Sequence, residues 1–397
     1  MLIPKYWAQD KQRFELRETP NKPARQATIK RYGWSDISQS EALSHAKARV
    51  DEAHKCWLAG EDILRRERRE EYNASNGIPI REQIISEHSF PESGLLNNNA
   101  AATQLIVTRN SYGAQVANVD NIAIIDVDND QLLHYKYPER YDHHGFMPAL
   151  PIDESIPLAK VKIWFFIFLF ILIASVIAWL GVSWLWLLAV MFGATAYLWQ
   201  QASARDKVWS QKYSDDAASL LPYMTNLIKK RITSHPNESF RLYQTPAGFR
   251  IIATHDIVSP SNSVVEEWFA YFHADTNYVH LCQVQQCFRA RLTAKPWRMN
   301  EVENNNLAKD IPAKDFWFSF EDTDVERSIE QREDALKARK QWIADYDNYA
   351  KNYRACHYVE SIIGKEAANN SKAQASIDDF VRWHDRACQV NKGLEMA

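Results

Sequence analysis

Residues Ile124-Ile125-Asp126-Val127-Asp128-Asn129-Asp130 run an apolar strand pattern into aspartates at alternate positions. Alternate residues of a strand point to the same face. Asp126 and Asp128 therefore share a face, and Asp130 joins them if the strand continues. Carboxylates held that close repel one another unless a cation sits among them. An oxygen-rich site of this kind suits Mg²⁺ or Mn²⁺, commonly beside substrate phosphates. A calcium-binding EF-hand does not fit, because it needs glycine at the sixth loop position and glutamate at the twelfth. Counted from Asp126, these are Gln131 and Tyr137. An acidic strand end leaving a sheet, with no ion, reads the same way.

Basic residues follow later in the chain. Two alternating runs flank Thr245-Pro246-Ala247-Gly248, a turn by composition. In the second run Arg250 alternates with Ile252 and Thr254, on the face opposite Ile251, Ala253 and His255. A lone histidine at the end of a hairpin arm is more often packed or exposed than a ligand. The segment CFRARLTAKPWR then supplies Arg289, Arg291, Lys295 and Arg298. Arg289 and Arg291 would share a strand face able to hold phosphates by bidentate contacts. A salt-bridged structural face is the competing reading.

Taken in order, an apolar strand into Asp-x-Asp, a β-hairpin ending near a histidine and a strand with two arginines resembles the archaeo-eukaryotic primase superfamily. The resemblance covers three short motifs within residues 121–298. It implies a nucleotide-binding or nucleotidyl-transfer domain acting on nucleotide or nucleic acid. Asp126 and Asp128 would bind the catalytic metal, and His255 would complete the catalytic set. Arg250, Arg289, Arg291 and Lys295 would bind substrate. His255 departs from the family pattern: Arg250 sits nearer the place after the turn where the family carries its histidine. Asp256 is the nearest candidate for a further acid. The chain also resembles uncharacterised bacterial membrane proteins with a central membrane hairpin and the segments RNSYGA, DVD and FRARLTAKPWR. That resemblance implies no activity.

Other constellations carry less. His273, His280, Cys282 and Cys287 do not follow the paired spacing of zinc ligands, and Val279-His280-Leu281-Cys282 alternates like an ordinary strand. His134 with His143 and His144 is weaker still. No Walker loop, G-x-G-x-x-G, G-x-S-x-G or H-E-x-x-H occurs. The five cysteines are odd in number and scattered, which argues for a reducing compartment rather than a disulfide framework. The first residues lack the apolar core of a signal peptide. The net charge of −3 gives no global pull toward polyanions.

The elements that must position these residues are organised around one long apolar run. From Ile163 to Trp199 there is no charged residue. One helix of that length would be ~55 Å long, against a hydrocarbon core of ~30 Å. Two helices turning at Gly181-Val182-Ser183 resolve the mismatch. Trp179, Trp184 and Trp186 mark one interface, and Trp164 and Trp199 the other. Lys160 and Lys162 precede the run, and Arg205 and Lys207 follow it, so both flanks read as cytoplasmic. The expected localisation is a bacterial inner membrane, with two spans and the lipid bilayer as partner. A channel or transporter is disfavoured because the run carries no ionisable residue.

Around this hairpin the pattern predicts a helix over 38–59, capped by Ser38 with Glu41, then a solvated charge run over 65–71. Strands are expected over 105–113 and 121–128, joined by a turn-rich link, followed by a loop over 132–146. Beyond the membrane run come a helix kinked at Pro222, the β-hairpin over 240–257 and a short helix. One or two strands within 278–293, a long helix ending at Gly364 and a final helix capped by Ser376 complete the chain. The parts are 1–158, the hairpin 159–202, and 203–397. The fold class is α+β: one mixed sheet-and-helix domain with an inserted two-helix transmembrane hairpin. Two functions remain open, a membrane-tethered nucleotide enzyme and a non-enzymatic membrane-anchored scaffold. An enzyme should gather Asp126, Asp128, His255 and Arg289 or Arg291 around one cleft.

Overall fold

The computed structural model describes residues 1–16, 25–67, 78–90, 103–141, 185–299, 307, 329–367 and 371–397. The chain begins with β1 (Tyr6–Leu16) and β2 (Arg25–Ser35), an antiparallel pair, so the predicted N-terminal arm is a strand ribbon. Helix α1 (Gln39–Leu58) packs on it, as its 3.6-residue apolar spacing predicts. Ala27, Ile29, Val50, Ala53 and Trp57 form the contact. Gly33 permits the close approach: a Cβ there would stand 2.2 Å from Ala46 N. Ser38 caps the helix through Glu41 N, and the Glu41 carboxylate accepts from Ser35 Oγ at 2.9 Å. The following charge run begins exposed at Arg65 and Arg66, as expected, and turns inward at the next residue. Glu67 is buried, accepting from Tyr32 N at 2.9 Å and from Arg49 at 2.6 Å. Its last residues lie outside the described part.

Two four-stranded sheets make the frame. One has the order β3-β4-β5-β9, all antiparallel neighbours: Gln83–Phe90, Thr103–Arg109, Gln115–Val119 and Phe288–Arg291. The other has the order β11-β7-β8-β6: His357–Ile363, Ser239–Thr245, Gly248–Ala253 and Ile124–Asp128. Each sheet therefore takes strands from before and after residues 128–226. The α+β class holds. The hairpin of β7 and β8 turns where the sequence places it.

Several elements differ from expectation. Gln115–Val119 is a strand and not a turn-rich link, because Asn110 and Gly113 make the turn earlier. Residues Asn129–Lys136 form helix α2, so Asp130 leaves the strand face carrying Asp126 and Asp128. Residues 278–285 are helical. They belong to α6 (Thr276–Gln285), which follows α5 (Ser263–Tyr271) and is capped by Asp275 through Tyr278 N at 2.7 Å. It stops at Gln286, which adopts φ 50°. Helix α7 (Ile329–Ala350) ends well before Gly364, and β10 (Tyr353–Arg354) and β11 follow. The last helix, α8 (Ser371–Ala387), begins upstream of Ser376. That residue lies inside it and donates to Phe90 O. The C-terminal β12 (Glu395–Met396) pairs in parallel with β10.

The chain divides into two compact units, residues 1–127 with 227–397, and residues 128–226. The second unit holds α2, helix α3 (Leu185–Ala218) and the start of α4 (Leu220–Ser234). Pro222 sits in the first turn of α4, where no N–H is needed. Arg140 and Tyr141 OH both meet the Asp216 carboxylate at 2.9 Å, and Lys136 Nζ donates to Ser219 O at 2.8 Å. The first arm of the predicted hairpin and its Gly181 turn lie outside the described residues. Among those described, no helix is long and apolar enough to cross a membrane. The apolar start of α3 leaves Phe192, Tyr197 and Trp199 exposed.

Candidate metal centre

The most chemically distinctive group of side chains is not the acidic strand. Cys356, His384 and Cys388 bring their ligand atoms within 4.8 Å of one another, and all three are buried. Among the described residues no second group of three His, Cys, Asp or Glu side chains converges in this way.

Local folding explains the convergence. His384 and Cys388 are four residues apart. Cys388 N donates to His384 O at 2.8 Å, so the helical turn carries both side chains on one face. Gln389 then turns left-handed at φ 57° and ends the helix. Its side chain donates to Lys351 O and Tyr353 O, tying the helix end to the segment before Cys356. Ala355 N donates to Cys388 O at 3.1 Å and sets Cys356 beside Cys388.

The imidazole is oriented from behind. His384 Nδ1 lies 3.2 Å from Asp385 Oδ1. Asp385 also accepts from Tyr243 OH at 2.7 Å and from Arg241 at 2.6 Å. Burial opposes the Asp385 charge. The bonds from His384 and Tyr243 and the charge of Arg241 outweigh it and hold the carboxyl below its ordinary range. A carboxylate fixed in this way keeps the proton on Nδ1 and leaves the Nε2 lone pair facing the cysteines. Tyr243 is in turn held up, first by burial and then by the Asp385 charge, and stays a neutral donor.

A cation already approaches these atoms. Arg250, wholly buried on β8, places Nη1 3.0 Å from His384 Nε2, 3.7 Å from Cys388 Sγ and 4.0 Å from Cys356 Sγ. Its Nη2 donates to Arg291 O at 3.0 Å. The hydrogen bond from Cys388, with His384 and Arg250 beside it, holds the Cys356 thiol well below its ordinary range. Burial, with the Cys356 charge, pushes Cys388 the other way. Burial also works against the Arg250 charge, but the two cysteines and Asp126 raise its affinity for the proton overall.

The residues expected from sequence are placed as follows. Asp126 and Asp128 share the partly exposed face of β6. Asp126 Oδ1 lies 4.0 Å from Arg250 Nε, so these two come together. Arg250 is a buried structural cation and not a surface phosphate ligand. His255 Nδ1 is engaged by Ser239, at 3.1 Å from its N and its O, and its ring meets Phe240 and Trp268 edge-on. Arg289 is committed to Glu82, 2.7 and 2.9 Å from its two carboxylate oxygens. Arg291 offers its carbonyl to Arg250, and its own Nε is buried without a hydrogen-bond partner among the described residues. Lys295 Nζ lies over the rings of Tyr112 and Trp297. Asp256 accepts from the next backbone N–H, at Ile257.

The zinc group weighed in sequence does not assemble. Cys282 and Cys287 are buried thiols, and burial pushes Cys287 up to about 12. His280 lies between them and His273 on α6. The centre that does form was half visible in sequence, since His-x-x-x-Cys puts two ligands on one helical face. Cys356, on another element, had no local signal. No protein-family model matches the chain, and neither a curated protein nor a solved structure matches it.

Proposed function

We propose that the protein is a membrane-tethered, non-enzymatic metal-binding module. Its α+β domain holds a soft divalent cation, zinc by donor set, at Cys356, His384 and Cys388. Two thiol sulfurs and one imidazole nitrogen suit zinc and do not suit Mg²⁺ or Mn²⁺, which take oxygen ligands. The observation that carries this reading is the convergence of the three donor atoms with His384 oriented by Asp385. All three donors are buried, which shields a bound ion from solvent and supports a non-enzymatic role, while the fourth position of a tetrahedral ion would fall to water or a further residue. The uncharged run from Ile163 to Trp199, together with the exposed aromatics on α3, supports the anchor. The basic flanks support a cytoplasmic location for the parts before and after the run, at a bacterial inner membrane.

The test is metal content. Full-length protein purified in detergent without chelator should carry or take up one zinc per chain, and His384→Ala should lose it. Wild type that neither carries nor binds zinc ends this reading.

A second reading, a metal-dependent nucleotide site, is favoured by one observation. Asp126 is half exposed and Asp275 lies close enough to feel its charge. Burial, then Asp126, raises the Asp275 carboxyl, while Lys295 acts in the opposite sense. The two acids could hold Mg²⁺ or Mn²⁺, with Lys295 on the side of a bound phosphate. Calorimetry with Mn²⁺ and nucleotide should then give binding that Asp126→Ala/Asp128→Ala abolishes. A silent titration of folded wild type leaves the metal-module reading alone.

A further inference from the structure

This inference rests on the metal-centre reading and concerns what fills the centre. With its proton held on Nδ1 by Asp385, His384 has one lone pair to give, at Nε2. Arg250 Nη1 takes that lone pair at 3.0 Å and also faces both sulfurs. Zinc would need the same lone pair and the same sulfurs, at ~2.0–2.3 Å. The one Nε2 lone pair serves one partner, so Arg250 and a metal compete there.

The arginine has somewhere to go. Its Nε is buried without a hydrogen-bond partner among the described residues, and it already lies 4.0 Å from Asp126 Oδ1. A charge-assisted N–H···O bond closes at ~2.7–2.9 Å, so a shift of roughly 1 Å would complete the pair. Asp126 is half exposed, so it can move to meet the guanidinium.

We infer that Arg250 is the resident cation of the centre, and that a metal enters only when the guanidinium withdraws toward Asp126. The metal-free protein then needs no ion to keep the Cys356, His384 and Cys388 group together, because Arg250 bridges it. Metal affinity is set by a competition between two cations for one set of donors. Asp126, which touches none of the three donors in the described structure, becomes a positioning residue for metal uptake.

Cobalt titration of the full-length protein in detergent, in oxygen-free reducing buffer, tests this through the thiolate-to-cobalt absorbance. Arg250→Gln should bind Co²⁺ roughly tenfold or more tighter than wild type, within the usual range of coupling between two sites. Arg250→Lys, which keeps the charge, should stay near wild type. Asp126→Asn should bind several-fold more weakly. Binding by Arg250→Gln with none by wild type supports the inference and ends the zinc reading for the native chain. Equal affinity in wild type, Arg250→Gln and Asp126→Asn overturns the inference and leaves the metal centre standing. No binding in any folded variant overturns both. Should Arg250→Gln not fold, Asp126→Asn carries the test from its half-exposed position, and unchanged affinity there overturns the inference.

Discussion

Glu82→Ala should cost the fold about 3–5 kcal/mol, the usual result of leaving one member of a buried ion pair uncompensated. Glu82 and Arg289 are both buried, and Arg289 Nη2 meets both carboxylate oxygens. The pair belongs to a polar chain across one sheet. Thr108 Oγ1 donates to Glu82 at 2.5 Å, and Asn118 Nδ2 donates to Thr108 Oγ1 at 2.9 Å. Asn118 stands directly opposite Arg289 in the β5–β9 register. Removing Glu82 strands the Arg289 charge and frees Thr108 from its acceptor. Glu82→Met/Arg289→Met should recover most of the loss, because removing both charges removes the desolvation cost as well. Urea unfolding of the two single variants and the double variant measures this. A single-variant loss below about 1 kcal/mol, typical of exposed pairs, would mean that the charges are solvated and that Arg289 is available for ligands after all.

Zinc should raise the melting point of the wild type, with a stabilisation of about 2.7 kcal/mol at metal a hundredfold above Kd and about 4.1 kcal/mol at a thousandfold. These figures are for binding to the native state, in which Cys356 meets His384 and Cys388 from a different element; zinc held by the thiols of the unfolded chain lowers the gain. Cys388→Ala should abolish the shift. Cys287→Ala removes a thiol that is equally buried but lies outside the centre, and should keep it. A chelator should return the wild type to its starting stability. A zinc shift that survives Cys388→Ala would place the metal elsewhere.

The sequence showed most clearly those elements whose periodicity and end signals agree. Helix α1 has apolar residues at one helical face and a serine cap, and the β7–β8 hairpin has a turn sequence between alternating runs. Misreadings arose where two periods overlapped. Val279-His280-Leu281-Cys282 alternates over four residues and mimics a strand, but Asp275 caps a helix there and Gln286 ends it. Residues 357–363 follow a strong helix and read as its continuation. They form a strand because β7 offers an edge to pair with, which is a tertiary fact. The two arginines of β9 were correctly placed in a strand, yet their partners could not be known. Glu82 lies 207 residues from Arg289 in the chain. The same distance problem hid the candidate metal centre, in which Cys356 belongs to a different element from His384 and Cys388.

Both four-stranded sheets borrow strands from the far side of residues 128–226. This sets an order of events during synthesis. When β5 and β6 leave the ribosome, their partners β9 and β8 have not been made. At ~5–20 residues per second the wait for β9 is roughly ten to thirty seconds. During that wait the apolar run emerges, and the edges of β5 and β6 stay open to wrong pairing. Interrupting translation within the run would leave two incomplete sheets rather than one finished domain. The nascent protein therefore carries unpaired edges in both sheets just as its most hydrophobic segment appears, the interval in which wrong pairing is most open to it.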